Sequence, residues 1–163
     1  MATTAFEDTV RLLDYPMFVV TANGGGERSG CLVGFAGQVS IDPGRFLACL
    51  SDKNHTYRVA CSTDRLAVHL LGRNQLPLAR LFGEQTGDEI DKFAQCSWRP
   101  GPDGVPVLED ALAWFSGPIL QRVPFGDHVG FLIEPDSGSR RDTDGRALLT
   151  LSDVEDLDPG HGA

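Results

Sequence analysis

Ser51-Asp52-Lys53-Asn54-His55-Thr56 crowds hydroxyls, an amide, an imidazole and an ammonium into one short polar loop. Ser51, Asn54 and Thr56 can donate and accept hydrogen bonds, and Lys53 adds a point charge. From about Thr56 to Ser62 the chain reads as a short helix with Thr56 or Asn54 as its N-cap. The first N–H groups of a helix lack intrahelical partners and the dipole there is positive, so this loop can hold an anion such as a phosphate monoester. The same residues also serve plain capping with Lys53 solvated, and the loop alone does not separate the two uses.

A second group is Gly126-Asp127-His128, set between two apolar runs. A carboxylate beside an imidazole fixes its tautomer and raises its basicity. A simple hairpin turn selects the same residue types, and taken alone the tripeptide fits the turn better. His69 lies inside an apolar run and reads as a satisfied core residue, and His161 sits near the C-terminus. His55 belongs to the polar loop and could face a ligand there. No His, Cys or carboxylate spacing matches a metal site, so no metal is expected. Nucleophile-elbow, phosphate-loop and dinucleotide fingerprints are missing as well. Phe93, Trp98 and Trp114 could stack on a planar ligand, with core packing the ordinary role for Trp114.

The elements that must position these groups are mostly strands. Met17–Thr21 is β-branched and aromatic and ends in Asn23-Gly24-Gly25-Gly26, a turn signal. One apolar run covers Gly30–Ser40, a turn follows at Ile41-Asp42-Pro43-Gly44, and a second run covers Arg45–Leu50. Leu66–Leu71 is too short and too uniformly apolar for an amphipathic helix and reads as a buried strand. Asn74 is expected to cap a helix carrying Leu78, Leu81 and Phe82, with Gly83 at its C-terminal boundary. Asp88–Ala94 reads as a helical turn or two and Trp98–Asp103 as loop. Ala111–Gln121 and His128–Ile133 read as strands, Glu134–Arg146 as an exposed loop, and Ala147–Leu151 as a last strand. Regular βαβ alternation is absent, which disfavours a parallel sheet and favours a nearly closed antiparallel barrel with two or three short peripheral helices.

With 163 residues, 41% of them hydrophobic, the chain can bury one core. We expect a single domain over residues 15–152, an N-terminal segment 1–14 and a solvated acidic tail 153–163. A net charge of −9 argues against nonspecific nucleic-acid binding and against adhesion to anionic membranes. No apolar stretch is long enough to span a bilayer, and the N-terminus does not read as a signal peptide. Cys31, Cys49, Cys61 and Cys96 form no C-x-x-C pair, which fits free thiols in a reducing cytoplasm.

Taken in order, several segments resemble the flavin reductase-like domain with the FMN-binding split-barrel fold, which includes the reductase components of two-component flavin monooxygenases. The resemblance runs from Tyr15-Pro16-Met17-Phe18-Val19-Val20-Thr21 through Gly30–Phe35, Val39-Ser40-Ile41-Asp42-Pro43 and Asn54-His55-Thr56. It continues through Asp91-Lys92-Phe93, Val105-Pro106-Val107-Leu108 and Gly126-Asp127-His128. It implies a homodimer that binds FMN near the subunit interface, or FAD or a deazaflavin in its place, with NADH or NADPH as reductant. Carried over by position, Val33, Gly34 and Phe35 would line the flavin ring, and Ser51, Lys53, Asn54 and Thr56 would hold the phosphate, with His55 beside them. Phe93 is a further cofactor candidate. His128, with Asp127 behind it, would lie on the nicotinamide side. The chain departs from the family at Leu32-Val33-Gly34-Phe35, where Thr-Val-Ser-Ser is common. The first reading that the resemblance implies is an NAD(P)H:flavin oxidoreductase that passes reduced flavin to a separate monooxygenase. The second is a barrel that binds a flavin, a deazaflavin or haem without turnover, as a carrier or sensor; the third is a cofactor-free barrel for protein association.

Overall fold

A computed structural model describes residues 3–84, 90–141 and 147–157 of the chain. Strand β1 (Phe18–Gly24) folds back on β2 (Glu27–Val33) through Gly25 and Gly26, at φ +59° and +78°. Both turn positions need positive φ to match the twist of the paired strands, which explains glycine at each. Then come β3 (Ala36–Ser40), β4 (Arg45–Ser51), β5 (Arg65–Leu70), β6 (Trp98–Pro100), β7 (Pro106–Leu108), β8 (Ala113–Pro124), β9 (His128–Ile133) and β10 (Ser137–Arg140). Among the described residues, four short α-helices accompany them: α1 (Thr4–Val10), α2 (His55–Ala60), α3 (Leu76–Glu84) and α4 (Leu151–Val154).

The main sheet runs β2-β1-β5-β8-β9-β4-β3 with β10 added to β8, and β6 and β7 form a separate ladder. All pairings are antiparallel. Strand β8 makes the sheet curl. Its first half pairs with β5 and its second half with β9, with a register shift between Ile119 and Gln121. A bulge of this kind bends a strand and increases its twist. The result is a curled, open half-barrel, the expected mainly β split-barrel architecture.

Both faces of β1 are covered, which is why its sequence lacks polar alternation. Val20 and Ala22 point into a barrel core with Cys31, Val33, Leu50, Val68, Phe131 and Ile133, closed by Val59 and Ala60 of α2. Val19 points the other way, into a second core with Met17, Leu71, Phe82, Phe93 and Leu149. Two buried polar residues cross-link these layers. His69 receives the Leu108 N–H at Nε2 and therefore donates from Nδ1 to the Val19 carbonyl, both at 3.0 Å. Lys92 Nζ donates to the Gly30 and Phe82 carbonyls at 3.1 and 3.0 Å. At the surface Arg65 forks onto Asp136 at 2.7 and 2.8 Å and also reaches Asp103 and Ser116.

Several expectations are corrected. The Gly30–Ser40 run is two strands, not one, broken at Gly34-Phe35 so that β2 pairs with β1 and β3 with β4. A 3-10 turn at Arg73–Gln75 leads into α3, and Gly83 lies inside α3 rather than beyond it. Trp98–Asp103 contains β6, and Glu134–Arg146 contains β10 and extends into residues 142–146, which lie outside the described set. The helical turn expected over Asp88–Ala94 is a 3-10 turn at Lys92–Gln95; residues 88 and 89 are outside the described set, as is His161. Instead of a strand at Ala147–Leu151 there are isolated bridges, Gly72 to Leu148 and Pro16 to Thr150, followed by α4. The start of the acidic tail is docked: Val154 is buried and Leu157 packs on the second core. Among the described residues, no helix is long and apolar enough to cross a membrane.

Candidate functional site

The break at Gly34-Phe35 opens a cleft of about 240 Å³. Val33, Gly34 and Phe35 form one side, Cys49, Leu50 and Ser51 of β4 another, with Asn54, His128, Tyr15, Met17, Cys31 and Leu32 completing the wall. Gly34 is explained by close approach. A Cβ built there would lie 2.7 Å from the Tyr15 ring and 3.1 Å from the Met17 sulfur. We expect Gly34→Val to displace Tyr15 and narrow the cleft, weakening ligand binding there by roughly tenfold or more while the fold persists, since overpacking typically costs about 1–3 kcal/mol. Titration of each protein with a cleft ligand, alongside circular dichroism, checks this.

Tyr15, Phe35 and His128 line up across the cleft mouth, with ring centroids 6.5 Å and 5.0 Å apart in succession. Phe35 is 54% exposed, so its ring is available to a planar ligand. His128 stands directly across the β4–β9 ladder from Ser51. Its Nδ1 donates to Asp127 Oδ1 at 2.8 Å. That hydrogen bond and the imidazole charge hold the Asp127 carboxyl below its ordinary value. With Nδ1 engaged, Nε2 has no hydrogen-bond partner among the described residues. Burial pushes the Cys31 and Cys49 thiols up, so both line the cleft as protonated, weakly polar groups.

The polar loop divides between capping and lining. Asn54 is the N-cap of α2, accepting the Thr56 N–H at Oδ1 at 2.8 Å, and its carbonyl accepts from the Tyr57 and Arg58 N–H groups. The expectation that these opening N–H groups stay unpaired is thus corrected for Thr56, Tyr57 and Arg58. The Thr56 hydroxyl is buried against Ser29 Oγ at 2.8 Å. Ser51 Oγ accepts the Lys53 N–H at 3.3 Å. His55 Nδ1 accepts from Arg58, which leaves Nε2 to donate to Glu27 at 2.6 Å, so this imidazole is tied to β2.

Of the residues named from sequence, Val33, Gly34, Phe35, Ser51, Asn54 and His128 come together at the cleft. Asp127 stands behind His128, and Lys53 lies close enough to lower the Asp127 pKa further. Phe93 is elsewhere: it is buried in the second core, 5.6 Å from the rings of both Phe82 and Trp98. Sequence reasoning missed Tyr15, Met17, Cys31, Leu32, Cys49 and Leu50 as lining residues. Gly34 itself was the available signal, because a glycine inside an apolar strand run can mark a close approach by another group.

The curled half-barrel with a cleft at the β2–β3 break is a split β-barrel of the flavin-binding kind. The chain belongs to the flavin reductase like domain family, whose model matches residues 10–155. It is 32% identical over 123 residues to RutF, an FMN reductase (NADH) of Enterobacter cloacae, a match covering 76% of this chain and 74% of that one. It is 33% identical over 115 residues to a "Probable flavin reductase" of Rhizobium meliloti; the match covers 68% of this chain but only 35% of that protein's length. Among solved structures, the NADH:FAD oxidoreductase SgcE6 of Streptomyces globisporus superposes with a TM-score of 0.77 at 26% identity, covering 88% of each chain.

Proposed function

We propose that the protein is an NAD(P)H-dependent flavin reductase that uses FMN and supplies reduced flavin to a separate monooxygenase component. The observation that carries this reading is the convergence of the Gly34-Phe35 backbone, Ser51, Asn54 and His128 on one cleft. Aromatic and aliphatic walls suit a planar heteroaromatic ring, and the Ser51–Asn54 edge suits a polar, anionic tail. A volume of about 240 Å³ lies just under the ~300–1,000 Å³ of pockets that enclose whole ligands. The cleft would therefore take the ring system and leave the tail along the loop.

A bound flavin supplies the hydride-accepting chemistry, and the protein supplies binding and orientation. Val33, Gly34 and Phe35 would line the ring, and Ser51, Lys53, Asn54 and Thr56 the phosphate side, Thr56 acting through its support of the loop. Asp127 fixes the His128 tautomer with Nε2 turned to use at the cleft, where it can accept a hydrogen bond from the nicotinamide donor. Holding both rings in register supplies the proximity contribution to the rate. Exposed Phe35, Val39, Ile41 and Phe125 form the apolar face of a homodimer in this reading. Free Cys31, Cys49, Cys61 and Cys96 suit a reducing cytoplasm.

The test is fluorescence titration with FMN, FAD and riboflavin, followed by NADH and NADPH oxidation with free flavin in excess. Saturable flavin binding with sustained oxidation is expected. Failure to take up any flavin sinks the proposal, and binding without oxidation favours a carrier or sensor. Asn54→Asp isolates the phosphate side. Aspartate caps α2 as well as asparagine does, but its charge opposes a phosphate. FMN affinity should fall roughly tenfold more than riboflavin affinity, about 1.4 kcal/mol. Equal losses for the two ligands would leave Asn54 a cap only.

A further inference from the structure

Against β8 and β10 lies a second cavity, of about 330 Å³, lined by Arg99, Glu109, Leu112, Trp114, Ser139 and Arg141 among others. We propose that it is a binding site for a small aromatic carboxylate, separate from the cleft described above. Trp114 and Ser139 are partners across the β8–β10 ladder and so share one face of the sheet. The β6–β7 ladder covers that same face, because Leu108 of β7 bonds to His69, the partner of Trp114 on β5. The cavity is the gap between these two layers.

Its charge is unusual for this chain. The sequence carries a net charge of −9, yet two guanidiniums meet at this cavity. Arg99 lies over the Trp114 ring at 5.6 Å, and Arg141 donates to the main-chain oxygen of Glu109. Neither guanidinium is paired with a carboxylate among the described residues. Two planar forks beside an indole face match a carboxylate on an aromatic ring: the carboxylate takes charge-assisted hydrogen bonds while the ring packs on Trp114 and Leu112.

The chain has two tryptophans, so its labelled NMR spectrum carries two indole N–H signals, assigned with Trp98→Phe and Trp114→Phe. Benzoate is the probe, with acetate and neutral benzamide as controls. Benzoate should shift the Trp114 signal saturably and leave Trp98 nearly still. Acetate and benzamide should bind roughly tenfold more weakly, as should benzoate to Arg99→Gln or Arg141→Gln, the size expected for losing one charge-assisted bond. FMN titration should be unchanged in both variants, which keeps this result independent of the flavin reading. No saturable shift, an undiminished shift in both arginine variants, or acetate binding as tightly as benzoate would overturn the proposal. If Trp114→Phe does not fold, Trp98→Phe alone makes the assignment.

Discussion

Replacing His69 with leucine should destabilise the protein by about 2–4 kcal/mol, read from the urea midpoint at neutral pH. Two main-chain groups, the Val19 carbonyl and the Leu108 N–H, would lose their partner in a fully buried site, and each unsatisfied group costs about 1–3 kcal/mol. His69→Gln keeps an acceptor for one of them and should recover about half of the loss. Burial also pulls the imidazole from its ordinary 6.5 down to about 4, against the smaller opposing effect of the Val19 bond. The folded state therefore binds fewer protons than the unfolded state between these values, and stability rises with pH across that window. Going down in pH, stabilisation begins to be lost at 6.5 and is fully lost below about 4, a change on the order of 3 kcal/mol. The glutamine variant should lack this component. Parallel acid titrations of wild type and His69→Gln would clear His69 of the role.

The second large effect concerns the reaction. His128→Ala should slow NAD(P)H-driven flavin reduction roughly ten- to a hundredfold, at or below the roughly 10²-fold floor for a positioned acid–base group, because the imidazole here only orients the donor. Flavin affinity should change little, since the cleft keeps Val33, Gly34, Phe35, Ser51 and Asn54. Asp127→Ala should give a smaller loss, because it removes only the partner that orients the imidazole through its 2.8 Å bond. Stopped-flow reduction at saturating nicotinamide separates rate from binding. An unchanged rate constant in His128→Ala would remove the imidazole from the mechanism.

How far these residues could be read from sequence depends on the range of the interactions that fix them. The β1–β2 turn, the β3–β4 hairpin and the cap of α2 rest on neighbours within a few positions, and their glycine, proline and asparagine signals point to the observed elements. The same holds for β9, whose bounds His128–Ile133 are those expected. Long-range partners decide the rest. Gly34 hints locally at a close approach, but the group that comes near it is Tyr15, a residue from before β1 that no spacing within the run reveals. Ala147–Leu151 looks like a strand by composition, yet its described bridges tie only single residues to Gly72 and Pro16. At the site, the polar loop and the Asp127-His128 pair were visible one at a time. Their meeting follows from the β4–β9 pairing, which no spacing in the sequence displays. Phe93 illustrates the reverse error: an aromatic beside a motif reads as a ligand platform, while in the fold it is interior packing.

The pairing of Ser51 with His128 acts as a ruler. Side chains on a strand return to the same face only every second residue, so sliding β4 against β9 changes the span between loop and imidazole in steps of about 6–7 Å. A single-residue slip would turn His128 away altogether. The span is thus quantised, and a longer or shorter ligand cannot be accommodated by adjusting the ladder. Length tolerance must come from the turn after Ser51, which makes that turn, rather than the barrel, the place to alter when the accepted molecule is to be changed.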